Sequence, residues 1–145
     1  MKITLQRTND AVRFTGEDGE GHTVHLDGNP ETGGEGSGVR PMQLLLMSLA
    51  GCSSMDVVVL LKKMRQPLED LRVEVHGERA DGEVPSVFRK IHLHFILKGT
   101  LDEGKAAKAV GMSVEKYCPV SQMLRKTAAI TWSVALVQGE AASSV

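Results

Sequence analysis

Aromatic residues are scarce in this chain of 145 residues, which contains three phenylalanines, one tyrosine and one tryptophan. Proteins that bind single-stranded nucleic acid stack the bases on aromatic side chains, so the composition disfavours that class. The formal net charge of -1 offers no excess of positive charge to attract nucleic acid or an anionic membrane. The first ten residues, MKITLQRTND, lack the apolar segment of a secretory signal. We therefore expect a cytoplasmic protein.

Cysteine is equally scarce, since only Cys52 and Cys118 are present. Two cysteines are too few for a metal site built from cysteine alone, and a reducing cytoplasm disfavours a structural disulfide. We expect neither a metal nor an organic cofactor. The length is sufficient for one domain with a substantial core. The sequence therefore predicts a single domain over residues 1–145.

The longest apolar run, MQLLLMSLAGCSSMDVVVLLKK, predicts a long helix over residues 40–64. Pro41 suits the first turn of a helix, where its missing N–H costs nothing. Apolar residues occupy nearly every side of this helix, which predicts that it is buried all round. A membrane span is the alternative by length. Asp56 and the interspersed glycine and serines favour instead a core helix wrapped by sheet.

The rest of the chain is divided into short alternating or amphipathic segments. They predict strands over residues 2–7, 12–15, 22–26, 70–78, 88–97 and 130–137, and helices over residues 101–114 and 120–128. The order β-β-β-α-β-β-α-α-β clusters the strands, which indicates the α+β class. The glycine-rich stretch 27–38 predicts a flexible linker between the N-terminal hairpin sheet and the central helix. It lacks the lysine of a phosphate-binding loop.

His92 and His94 fall on one face of the strand predicted over residues 88–97. Two histidines at this spacing can bind a metal ion. Because no second pair or nearby carboxylate completes a site by spacing, we interpret this face as solvated or as part of an interface.

The two cysteines fall in contrasting places. Cys52 lies in the middle of the central helix, and Cys118 comes directly before Pro119, at the predicted start of a helix. The free N–H groups of a helix start lower the pKa of a thiol, so we expect a low pKa for Cys118. Two cysteines so far apart in the sequence can come together only in the folded chain. A pair that does come together can alternate between the dithiol and the disulfide form. The alternative for Cys52 is a small, inert, buried residue.

At these residues the sequence resembles a known family. The segments LAGCSSMDVV and KYCPVSQML are similar to the two cysteine motifs of the OsmC/Ohr family, whose members are thiol-dependent peroxidases that reduce organic hydroperoxides. The segments PMQLLLMSLAGC, GHTVHLDG and IHLHF resemble its YhfA-type subgroup of redox proteins in particular. The resemblance covers nearly the whole chain. It implies an intertwined homodimer with the active site at the dimer interface.

The resemblance also implies the chemistry. Cys52 is expected to be the peroxidatic cysteine, which attacks the peroxide and becomes a sulfenic acid. Cys118 is expected to resolve that acid into a disulfide, which an external dithiol, such as a lipoylated protein, reduces. The apolar residues Leu45, Leu49 and Val59 share a helix face with Cys52 and suit an alkyl hydroperoxide.

Two positions differ from the Ohr pattern. Ohr-type members place a glutamate ten residues before the first cysteine, where Met42 stands here. They also carry an arginine in the first hairpin turn, where this chain has Arg7 and Arg13 only beside the turn. These differences keep open a non-catalytic relative that binds an apolar ligand or senses oxidant. A structural dimer with inert thiols is the third alternative.

Overall fold

The computed structural model describes residues 1–139, and its elements follow the order expected from the sequence. The strands are β1 (Thr4–Arg7), β2 (Phe14–Glu17), β3 (Thr23–Leu26), β4 (Leu68–Arg79), β5 (Phe88–Gly99) and β6 (Ala129–Val137). The helices are α1 (Pro41–Lys63), α2 (Glu103–Met112) and α3 (Pro119–Leu124). A short 3-10 turn spans Pro30–Thr32, and a π turn spans Ser113–Tyr117. The predicted α+β class is confirmed.

The first compact unit, Met1–Leu45, contains a meander of three antiparallel strands. The sheet order is β1-β2-β3, and Leu26 forms an isolated bridge with Val39 beyond the last strand. Alternating short segments separated by turn residues produce this arrangement, as expected.

The glycine-rich stretch after β3 is folded around one buried carboxylate. Asp27 is only 2% exposed. Its oxygens accept hydrogen bonds from the backbone N–H groups of Gly28, Glu35 and Ser37, and from Ser37 Oγ at 2.8 Å. Gly34 packs so closely that a Cβ there would collide with the Gly28 backbone. The sequence predicted a flexible linker here and missed this hydrogen-bonded turn, because composition alone does not show what the carboxylate binds.

We expect Asp27→Asn to lower the melting temperature at neutral pH and to reduce the fall of the melting temperature as the pH is lowered. The Ser37 hydroxyl is the largest cause that lowers the pKa of Asp27, to about 2 from an ordinary 3.8. A lowered pKa stabilises the fold above about pH 4, and this contribution is lost as the pH falls towards 2. Thermal unfolding between pH 2 and pH 6 measures both effects. The control is Asp10→Asn, at an exposed carboxylate. An unchanged acid slope in Asp27→Asn would contradict the assignment.

The second compact unit begins at Leu46 and contains a sheet of order β4-β5-β6. Strands β4 and β5 form a long antiparallel pair, whereas β5 and β6 pair in parallel. A parallel pair needs a crossover connection. The segment that contains α2, the π turn and α3 supplies it. Cys118 lies within this crossover.

The core of this unit follows the alternation of β5. Ile91, Leu93, Phe95 and Leu97 are at most 1% exposed, whereas the residues between them are half-buried. The buried apolar residues outside β5 come from α1, α2 and the crossover: Leu49, Val57, Leu61, Ala106, Ala109, Val110 and Val114. One side of α1 therefore belongs to the core of its own chain.

The other side of α1 is exposed, so the expectation of all-round burial is wrong for a single chain. Its exposed apolar residues are Leu45, Met47, Met55, Val58 and Val59. The reason is that the elements of one chain bury only the side that carries Leu49, Ser53, Val57 and Leu61. By length and composition α1 could also cross a membrane, but one such helix is weak support because soluble core helices pass the same test.

Candidate active site

The fold brings the two cysteines together from positions that are 66 residues apart (118 − 52 = 66). Cys52 lies half-buried in α1, and Cys118 is completely buried at the start of α3. The Cys52 thiol lies close enough to that of Cys118 to raise its pKa, and both cysteines are free. The two residues predicted for the site are therefore neighbours in the fold.

The pKa of the Cys118 thiol is raised to about 11, chiefly by burial and in addition by the neighbouring Cys52 thiol. Two backbone N–H groups act in the opposite direction: that of Ser121, 3.4 Å from Sγ, and that of Val120. The sequence predicted a lowered pKa from the helix start, and that prediction is wrong. The cost of burying a charge exceeds the effect of two N–H groups on a helix of six residues. Cys118 is therefore a protonated thiol at neutral pH.

A π turn presents Cys118 to α1. The helix predicted over residues 101–114 ends at Met112, and the turn Ser113–Tyr117 follows. The Cys118 N–H donates to the Ser113 carbonyl at 2.8 Å, a bond that spans five residues. Turns of this kind are rare and occur frequently at functional sites. Sequence reasoning missed it, since no residue pattern distinguishes it from an ordinary helix end.

Two polar atoms on α1 have no hydrogen-bond partner among the residues that the structure describes. They are Asp56 Oδ2 and Ser54 Oγ, and both are buried. Asp56 lies one turn along α1 from Cys52, as expected from the sequence. A buried polar atom without a partner is costly, so these two atoms lower the stability of α1 in the single chain.

Three arginines are held by hydrogen bonds to groups of their own neighbourhood. The Arg125 guanidinium donates to the Val114 carbonyl at 2.8 Å and to Ser121 Oγ at 3.2 Å. It therefore contacts the residue whose N–H donates to Cys118. Arg40 Nη1 donates to the Gly38 carbonyl, and Arg13 donates to Thr8 within its own turn.

The histidine pair on β5 is bound by hydroxyl groups of β6. His92 contacts Thr131 Oγ1 at 2.7 Å and Ser133 Oγ at 2.9 Å, and His94 contacts Ser133 Oγ at 2.6 Å. Within residues 1–139, the one group of three or more residues spaced to hold a metal ion is Asp18, Glu20 and His22. All three are exposed in a turn. The Asp18 carboxylate there already accepts bonds from the N–H groups of Glu20 and His22.

Comparison with known proteins identifies the family. The family model described as OsmC-like protein matches residues 34–133, which is more than half of the chain and includes both cysteines. The chain belongs to the OsmC-like family. The OsmC-like chain is also 41% identical to "Protein YhfA" of Escherichia coli strain K12 over 129 residues, which cover 88% of this chain and 92% of that protein.

Solved structures agree on the fold. A hypothetical protein from Aquifex aeolicus VF5 is 28% identical, with a TM-score of 0.83 over 96% of the OsmC-like chain and 97% of its own. An organic hydroperoxide resistance protein OsmC from Legionella pneumophila is 22% identical, with a TM-score of 0.70 over 93% of this chain and 97% of its own. At this identity the second likeness establishes the fold alone.

Proposed function

We propose that this chain is a thiol-dependent peroxidase that reduces organic hydroperoxides with Cys52 and Cys118. The proximity of these two free thiols, one half-buried on α1 and one buried at the start of α3, is the observation that carries the proposal. Membership of the OsmC-like family and the likeness to proteins described as organic hydroperoxide resistance proteins support the same chemistry.

The cycle balances in three steps. The Cys52 thiolate attacks the O–O bond of the hydroperoxide, and this bond breaks. The sulfur keeps one oxygen as a sulfenic acid, and the other oxygen takes up a proton and leaves as an alcohol. The Cys118 sulfur then attacks the Cys52 sulfur, which forms a disulfide and releases water. An external dithiol reduces the disulfide and is itself oxidised. We propose a lipoylated protein or another cellular dithiol for this role, and the cytoplasm as the compartment.

The assignment of Cys52 as the attacking residue rests on exposure and surroundings. Cys118 is completely buried, and its raised pKa keeps it protonated at neutral pH. Because the thiolate is the nucleophile, such a thiol is a poor first attacker. Cys52 is partly exposed on α1, where Leu49 and Val59 share its helix face. These apolar neighbours favour an alkyl hydroperoxide over hydrogen peroxide.

We also propose that the protein is a homodimer. The support is the exposed apolar side of α1, which includes Met55 at 72% and Val59 at 52% exposure. Contiguous apolar surface of this kind mostly marks an interface.

We expect the wild-type protein to consume an alkyl hydroperoxide such as cumene hydroperoxide when dihydrolipoamide is the reductant. The rate with hydrogen peroxide should be lower, since it gains nothing from apolar surroundings. Oxidation of dihydrolipoamide provides the measurement, and protein alkylated at both cysteines is the control. Equal rates for native and alkylated protein would exclude the peroxidase.

The second candidate is a non-catalytic protein that binds an apolar ligand or senses oxidant. The observation that favours it is Met42, which stands where Ohr-type members carry a glutamate. A protein of this class would form the disulfide once but would not turn over with a dithiol reductant. The same assay therefore separates the two functions.

A further inference from the structure

The backbone of Cys118 is connected to α1 through one buried serine. The Cys118 N–H donates to the carbonyl of Ser113 at 2.8 Å. Ser113 Oγ in turn donates to the carbonyl of Ser53 at 2.7 Å. Ser53 follows Cys52 directly in α1, and both serines are completely buried. Two hydrogen bonds through Ser113 therefore join the chain segments that carry the two thiols.

The π turn is held separately on its other side. Ser121 Oγ and Arg125 Nη2 both donate to the carbonyl of Val114, at 2.6 and 2.8 Å. Gln122 Nε2 donates to the carbonyl of Glu115 at 2.8 Å. These bonds fix the turn to α3, so turn and helix move as one body. The Ser113 hydroxyl, which donates to the Ser53 carbonyl of α1, can therefore set the position of the turn and α3 relative to α1.

We propose that Ser113 is a positioning residue that holds the Cys118 thiol against Cys52 and so favours their disulfide. The inference rests on the proposed two-cysteine cycle and names a residue on which its resolving step depends. The bond is present with both thiols free, where it keeps the reduced chain from relaxing into arrangements in which the thiols are apart. Its loss admits those arrangements and should lower the effective concentration of one thiol towards the other roughly three- to tenfold, the range that one hydrogen bond contributes.

The effect can be measured without any peroxide. Oxidised glutathione first forms a mixed disulfide with Cys52 and releases one glutathione. The Cys118 sulfur then displaces the second glutathione and closes the Cys52–Cys118 disulfide. Overall, one protein dithiol is oxidised and one glutathione disulfide is reduced to two thiols. The equilibrium constant in glutathione buffers gives the effective concentration of the pair directly.

Three variants distinguish a positioning role of the Ser113 hydroxyl from a role of its side chain in packing alone. Ser113→Ala removes the connecting hydroxyl and should lower the equilibrium constant three- to tenfold. Ser53→Ala is the matched control, because Ser53 Oγ donates within α1 to the Leu49 carbonyl and the Ser53 carbonyl remains for Ser113. It should leave the constant unchanged. Ser113→Thr keeps a hydroxyl and should restore most of the wild-type value.

The outcomes are distinct. If Ser113 has only a structural role, Ser113→Ala lowers the melting temperatures of the reduced and oxidised forms equally and leaves the equilibrium constant at its wild-type value. That result overturns the inference. If Ser113→Ala does not fold, Ser113→Thr and Ser113→Val, which are similar in shape but differ in the hydroxyl, give the same comparison. If the wild-type protein forms no Cys52–Cys118 disulfide at any glutathione ratio, the two-cysteine cycle itself is wrong.

Discussion

Cys118→Ser should oxidise once per chain and then stop, whereas Cys52→Ser should not react at all. In Cys118→Ser the Cys52 thiol can still attack a hydroperoxide, but its sulfenic acid has no neighbouring thiol with which to condense. In Cys52→Ser the remaining Cys118 is buried, and burial raises its pKa above the ordinary value of a thiol. Turnover should therefore fall roughly a thousandfold or more in both variants, the scale on which loss of a nucleophile acts.

The measurement is a single-turnover experiment with one equivalent of alkyl hydroperoxide. A sulfenic-acid trap such as dimedone should label Cys52 in Cys118→Ser, and wild-type protein should instead give the Cys52–Cys118 crosslink by peptide mapping. Oxidation of Cys118 in the Cys52→Ser protein at the wild-type rate would reverse the assignment of the two roles.

The resolving step should also depend on pH. Because burial raises the pKa of Cys118 far above neutral, its thiolate is a small minority at pH 7, and the thiolate fraction rises tenfold with each pH unit below the pKa. Closure of the disulfide after peroxide treatment should therefore accelerate between pH 7 and pH 9. Stopped-flow tryptophan fluorescence can follow this step, since Trp132 Nε1 donates to Glu115 in the turn before Cys118. A rate that is flat with pH would show that the thiolate of Cys118 is not the attacking species.

Val58→Lys should convert the proposed homodimer into a monomer at micromolar concentration. Val58 is 46% exposed on the apolar side of α1, where a lysine without a partner would have to be buried in the proposed interface. We expect the dissociation constant of the dimer to rise at least a hundredfold, which corresponds to roughly 2.7 kcal/mol.

Sedimentation equilibrium provides the measurement. The control is Val84→Lys, because Val84 is 99% exposed in the turn between β4 and β5. It makes the same chemical change away from α1 and should remain dimeric. A wild-type protein that sediments as a stable, folded monomer would contradict the dimer, whatever the variants do.

Much of this fold could be predicted from the sequence because the signals are local. Pro41 and Pro119 mark the starts of α1 and α3 to within a residue, since proline suits the first turn of a helix. The alternation of Ile91, Leu93 and Phe95 identified both the strand β5 and its buried face. The two cysteine motifs indicated the family, which the match over residues 34–133 establishes.

The site could be predicted only in part. The identity of the two cysteines came from the sequence, but the expected pKa of Cys118 had the wrong sign. A helix start is visible in the sequence, whereas the burial of the thiol depends on α1 and the crossover segment, which are distant in the chain. The sequence did not indicate the hydrogen bond of Ser113 for the same reason, since its partner Ser53 lies 60 positions earlier (113 − 53 = 60).

Local sequence patterns were sufficient to predict which segments form helices and strands, where α1 begins, and which two thiols are candidates for the site. These properties depend on the spacing of apolar residues and on proline, both of which act over a few residues. Three features appear only in the folded chain: β6 pairs in parallel with β5, the Asp27 carboxylate organises its loop, and Cys118 is completely buried near Cys52 with a raised pKa. Burial and long-range pairing depend on which distant segments close on one another, and desolvation in the closed structure outweighs the local effect of a helix start.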